Sequence, residues 1–187
     1  MRYGLFVVFS AACASAGQPG ADVDAGKNDA SPDAPRDAAM PDAQNVCPST
    51  ATCANAMMLG MVSGDTANQK LTMTGYQSAW FRVRVTEDDS GTIGLTLRVA
   101  SKLTSPNGVN FDTFVYLGSN STAVECNTTT GTVTMNGALD QVRAEWGEPI
   151  IPNGVSDSRN VSIEIRPVST NCAPGSQWQL EVEGNWI

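Results

Sequence analysis

Through its C-terminal half the chain alternates apolar and polar residues with a period of two, and that pattern most restricts what it can fold into. Phe81, Val83 and Val85 fall on one side of an extended chain, with Trp80, Arg82 and Arg84 on the other. Ile93, Leu95, Leu97 and Val99 alternate with Gly94, Thr96, Arg98 and Ala100. Val161, Ile163 and Ile165 alternate with Ser162, Glu164 and Arg166, and Trp178, Leu180 and Val182 with Gln179, Glu181 and Glu183. Successive side chains of a strand point to opposite faces, so this period puts one face in a core and the other in water. It is the mark of antiparallel sheets, because strands of an all-parallel sheet are buried on both faces and read as continuous apolar runs. Helical periodicity is confined to the short alanine- and methionine-rich piece from Cys53 to Leu59.

Turn residues separate these runs. Glu87-Asp88-Asp89-Ser90-Gly91 lies between two strands and reads as a hairpin loop. Pro106-Asn107-Gly108 precedes a further strand from Phe111 to Leu117, and Asn136-Gly137 and Pro152-Asn153-Gly154 mark later turns. Many short strands without intervening helices predict an all-β fold, an antiparallel β-sandwich over residues 47–187.

The N-terminal quarter has a different chemistry. Residues 1–16 read MRYGLFVVFSAACASA: one basic residue, a short apolar run and then small residues. This is the form of a secretory signal peptide, and the apolar run is too short to span a bilayer. Two processing routes fit. Signal peptidase would cut after Ala16, whereas Ser10-Ala11-Ala12-Cys13 has the form of a lipobox that makes Cys13 the lipid anchor.

Residues 17–46 repeat Asp-Ala, with Pro32, Pro35 and Pro41 interspersed and no aromatic residue, Leu or Ile. Such a segment buries too little apolar surface to offset the entropy of ordering it, and its prolines block helix propagation. It is expected to be a disordered, semi-extended linker. This leader resembles those of predicted lipoproteins from myxobacteria and their relatives. Export, to the outer membrane or cell surface as a lipoprotein or to the medium, is the expected localisation.

Among 187 residues there are 19 acidic and 11 basic, a net charge of −8. Phosphate binding needs clustered Lys and Arg, so nucleic acid is excluded as a partner, and contact with a membrane is expected only through the lipid anchor. Of five cysteines, removal or lipidation of Cys13 leaves Cys47, Cys53, Cys126 and Cys172, an even set for two disulfides in an oxidising compartment. Three pairings are open. The favoured one joins Cys47 to Cys53, clamping the entrance to the domain, and Cys126 to Cys172.

The absence of histidine removes Ser-His and Cys-His nucleophiles, imidazole bases and His-ligated zinc. Carboxylate chemistry remains. Glu145, Glu148 and Asp157 lie near Trp146 in the sequence, a combination able either to stack a sugar ring or to hydrolyse a glycan with a pair of acids. Three Asn-X-Ser/Thr sequons, at Asn120, Asn127 and Asn160, are read as incidental in a bacterial chain.

Over residues 50–185 a series of short motifs occurs in order: Leu59-Gly60 with Val62-Ser63-Gly64-Asp65, then Trp80-Phe81-Arg82-Val83, then Phe111-Asp112-Thr113-Phe114-Val115-Tyr116 ahead of Cys126, and finally Trp178-Gln179-Leu180-Glu181-Val182. In this order the body resembles the bacterial pre-peptidase C-terminal domain family. The resemblance implies a jelly-roll-like β-sandwich that is not itself an enzyme and serves secreted proteins as an accessory module. Some members bind calcium and collagen, which would make Asp65, Asp88, Asp89 and Asp112 the candidate calcium ligands, with no other cofactor. The expectation is therefore a non-catalytic exported surface module that binds an extracellular polysaccharide or protein. A carboxylate-dependent glycan hydrolase and a structural envelope protein without a small ligand are the alternatives.

Overall fold

The computed structural model describes residues 51–66, 68–88, 90, 96–136, 138–147, 154–168 and 175–186. The signal peptide and linker, Cys13, Cys47, Cys172, Asp89 and Glu148 lie outside the described residues, as do Ile93, Leu95 and the Pro152-Asn153 turn.

A 3-10 turn, Cys53–Asn55, precedes nine strands: β1 (Met57–Ser63), β2 (Lys70–Gly75), β3 (Ala79–Thr86), β4 (Thr96–Thr104), β5 (Phe111–Leu117), β6 (Thr132–Asn136), β7 (Leu139–Gly147), β8 (Arg159–Pro167) and β9 (Trp178–Gly184). They form a four-stranded sheet in the order β1-β3-β8-β5 and a five-stranded sheet in the order β2-β9-β4-β7-β6. The all-β sandwich expected from the alternation is the observed architecture. One pairing departs from the antiparallel expectation: β1 runs parallel to β3, with a register shift between Met58 and Gly60.

Sequence neighbours rarely pair. Consecutive strands from β1 through β6 change sheet at every step, as do β7, β8 and β9, and β6–β7 is the consecutive pair joined as a hairpin. This interleaving, β2-β9-β4-β7 over β3-β8-β5, is a jelly roll. The segment from Glu87 therefore carries the chain from one sheet to the other and is not the hairpin loop its turn residues suggest. The expected turn at Asn136 does sit in the β6–β7 hairpin.

The alternation correctly identifies the inward residues. Phe81, Val83 and Val85 on β3, Val161, Ile163 and Ile165 on β8, and Phe111 and Val115 on β5 face Leu97, Val99 and Leu103 on β4, Val142 and Ala144 on β7, and Trp178, Leu180 and Val182 on β9 in one buried cluster. Each such side chain contributes about 1.5–3 kcal/mol of transfer free energy when removed from water.

The outer face of the four-stranded sheet is not wet, as alternation alone would have it. Ser162 is fully buried and Glu164 is 8% exposed. Arg82 Nη2 donates to the carbonyl of Cys53 at 3.1 Å, and Arg84 donates to the carbonyl of Ser121. The arginines of β3 thus hold the 3-10 turn and the β5–β6 loop across that face. This brings Cys53 and Cys126 together as a disulfide with Cα atoms 5.9 Å apart. The expected Cys47–Cys53 and Cys126–Cys172 pairing is thereby replaced at both described cysteines. Nearness in sequence had favoured the local bridge, whereas folding of the loop over the sheet supplies a partner 73 residues away.

Candidate functional site

The carboxylates and tryptophan singled out from the sequence do not converge. Trp146 and Glu145 are neighbours on β7, so they point to opposite faces. Trp146 turns inward, is 9% exposed, and its Nε1 donates to the main-chain carbonyl of Asp157 at 2.7 Å. It is a core residue with no free ring face for a sugar. Glu145 faces outward and lies 3.6 Å from Arg98 Nε. Asp157 pairs through its own side chain with Arg159 at 3.7 Å.

The described candidate calcium ligands do not form one cluster: Asp65 and Asp88 are neighbours, and Asp112 is not with them. Asp65 Oδ1 accepts from the Ser63 hydroxyl at 3.1 Å and Oδ2 from the Asp88 amide at 2.9 Å. Asp88 Oδ1 accepts from the Ser90 amide at 3.0 Å, and hydrogen bonding from the Ser90 side chain, with this amide bond added, holds the Asp88 carboxyl below the usual range. Both residues tie turns together. Asp112 stands apart from them on β5. Asp65, Asp88 and Asp112 therefore do not fit one calcium site, and no group of three or more Asp, Glu, Cys or His with metal-binding geometry occurs among the described residues.

What the fold does assemble is a cleft of about 390 Å³ beside the β2–β3 turn. Its floor is Trp178 on β9, 2% exposed. The indole Nε1 donates to the carbonyl of Gln77 at 2.9 Å, and the ring meets Phe81 edge-on at 5.9 Å between centroids. Gly75 makes this floor possible, because a Cβ there would come within 2.3 Å of the Trp178 ring. Tyr76, 48% exposed, and Met57, 56% exposed, stand on the walls with Trp80. Polar groups of Asn55, Thr74, Gln77 and Ser78 line the same space. Gln177 Nε2 donates to the Tyr76 hydroxyl at 2.6 Å and orients its ring.

Trp80 is braced from behind. Its ring stacks on Tyr116 at 5.1 Å with 27° between planes. Tyr116 donates its hydroxyl to Glu164 Oε2 at 2.7 Å, and Arg166 Nη2 donates to the same oxygen at 2.7 Å. Arg166 in turn lies 4.6 Å over the Phe114 ring. Burial, with the bond to Glu164 added, pushes the Tyr116 hydroxyl up to about 12, so it remains a donor at neutral pH. The cleft thus combines rigid aromatic walls with a few hydrogen-bonding groups, the usual make-up of a small-ligand site. Among the described residues its lining holds no nucleophile paired with a base. The motif reading included Trp80 and Trp178 as strand residues only, and Tyr76 gave no signal beyond an aromatic residue in a turn.

No family model matches the chain, and no curated protein matches it. Solved structures similar to it include two at low identity. One is the pre-peptidase C-terminal domain of a collagenase from Bacillus anthracis, 8% identical, with a TM-score of 0.36, covering 68% of this chain and 95% of that domain. The other is an insecticidal delta-endotoxin from Bacillus thuringiensis, 17% identical, with a TM-score of 0.31, covering 61% of this chain and 19% of the toxin chain.

Proposed function

We propose that this chain is a non-catalytic binding module, exported and tethered as a lipoprotein or released, that takes an extracellular polysaccharide at the Tyr76–Trp80 cleft. The cleft carries the reading. A pyranose presents an apolar face that stacks on an aromatic ring, while its hydroxyls need nearby amide and hydroxyl partners. Tyr76 and Trp80 supply the first requirement, and Gln77, Ser78 and Asn55 the second. The immobile Trp178 floor keeps the ordering cost of binding low. A module role also agrees with the motif order that resembles the pre-peptidase C-terminal family. The lack of histidine and the separation of Glu145 from Trp146 both speak against turnover.

Affinity electrophoresis and a glycan array on the processed chain test this directly. Binding without product release, lost in Tyr76→Ala and Trp80→Ala while the circular dichroism spectrum is kept, is the expected result. Binding to proteins alone would move the cleft to a polypeptide partner. Retention of glycan binding in both variants would overturn the assignment. Mass spectrometry of the mature terminus separates a diacylglyceryl-modified Cys13 from a chain that begins at Gly17.

A further inference from the structure

We propose that the outer face of the five-stranded sheet carries a second binding site, built on Arg143 and Trp186, for the carboxylate of a uronic acid in an acidic polysaccharide. It lies at the far end of β9 from the cleft, roughly 20 Å along the strand, and shares no lining residue with it. The inference therefore does not rest on the cleft.

The residues after β9 place the indole. The Asn185 amide donates to the Arg98 carbonyl at 2.9 Å, and Asn185 takes the left-handed conformation, φ 44°, that asparagine adopts more readily than most residues. Trp186 thereby meets Arg143 of β7, whose guanidinium lies 4.3 Å from the ring centroid. Arg143 is exposed and stands opposite Thr132 of β6 in register. With Thr130, Thr134 and Glu145 these residues line a hollow of about 480 Å³.

Every other described Lys and Arg has an oxygen partner. Lys70 and Lys102 pair with Glu181 and Glu183, Arg98 with Glu145, Arg159 with Asp157 and Arg166 with Glu164. Arg82 and Arg84 donate to main-chain carbonyls. Among the described residues Arg143 has the Trp186 ring and no carboxylate or carbonyl. Trp186 Nε1 is also buried without an acceptor, so a shift of the ring toward an entering oxygen breaks no hydrogen bond of its own. A guanidinium and an indole N–H only donate, so the hollow lacks acceptors, and the fork of an arginine matches a carboxylate best. Local charge agrees. Arg98 and Arg143 against Glu145 leave one positive charge in excess, on a chain of net charge −8. A sugar suits the rest of the lining better than an acidic peptide does, because threonine hydroxyls both donate and accept, as ring hydroxyls require.

Isothermal titration of the processed chain with oligogalacturonate, its neutral methyl ester and poly-glutamate tests the proposal. Oligogalacturonate should bind and its methyl ester should not. Arg143→Gln should weaken binding about tenfold or more and Thr132→Val about threefold, with both variants melting as the parent does. In the parent, the Arg143 Nε and Trp186 Nε1 resonances should shift during the titration. Absence of binding, equal binding of the methyl ester or of poly-glutamate, or unmoved resonances at both groups overturns the site. So does binding that survives Arg143→Gln but is lost in Tyr76→Ala, which would put the uronate in the cleft.

Discussion

The hydroxyls of Ser101 and Thr113 meet at 2.8 Å inside the core, one from each sheet. They are 1% and 3% exposed, so each is the other's replacement for water. Ser101→Ala or Thr113→Val alone leaves a buried hydroxyl unsatisfied and should cost about 1–3 kcal/mol. The double variant removes both polar groups and should cost less than the two singles added. A denaturant double-mutant cycle measures the difference, and strict additivity would refute the coupling.

The Cys53–Cys126 bridge closes a loop with a sequence separation of 73. In the chain-entropy model its removal by Cys53→Ser with Cys126→Ser lowers stability on the order of 4 kcal/mol. Peptide mapping without reductant should recover the segments that contain Cys53 and Cys126 joined together. Recovery of Cys126 with any other partner would contradict the fold of the β5–β6 loop.

Burial, followed by the contact with Asp112, pushes the Asp140 carboxyl up from 3.8 to about 6. The native state therefore holds this proton more tightly than the unfolded chain does. Its contribution to stability is complete below about pH 4 and is lost as pH rises through about 6, a cost of a few kcal/mol. Asp140→Asn should flatten the fall in melting temperature between these limits. Glu183 works in the opposite direction. Its bond with Lys102 lowers its pKa, so its contribution is present above the ordinary carboxylate range and lost on acidification.

Trp146→Ala should destabilise the chain by about 3–5 kcal/mol, because it opens a cavity between the sheets. Glu145→Gln, with its side chain on the outer surface, should change stability by less than about 1 kcal/mol. Urea unfolding of the two variants reports this contrast between neighbouring residues.

Gly75→Ala sets a methyl against the Trp178 ring, which its bond to Gln77 and its contact with Phe81 hold in place. The overlap should cost about 1–3 kcal/mol and alter the near-ultraviolet circular dichroism of the cleft. An unchanged spectrum would show that the floor is softer than its contacts imply.

The sequence by itself determined five strands, β3, β4, β5, β8 and β9, and which of their residues turn inward, but it read as helical a piece from Cys53 to Leu59 whose last residues begin β1. Phe81, Ile163 and Leu180 are legible because the face a side chain takes follows from local backbone stereochemistry. The same rule, applied to Glu145 and Trp146, separates them without coordinates. Tertiary structure alone decided which strand lies beside which. β3 crosses to the other sheet instead of returning as a hairpin, Cys53 finds Cys126, and Asp112 reaches Asp140. It also made Tyr76 a cleft wall and Trp178 its floor. Loop-closure entropy grows only slowly with separation, so distance along the chain hardly ranks possible partners. The choice falls to the packing of whole faces, which becomes a definite quantity once both sheets are in place.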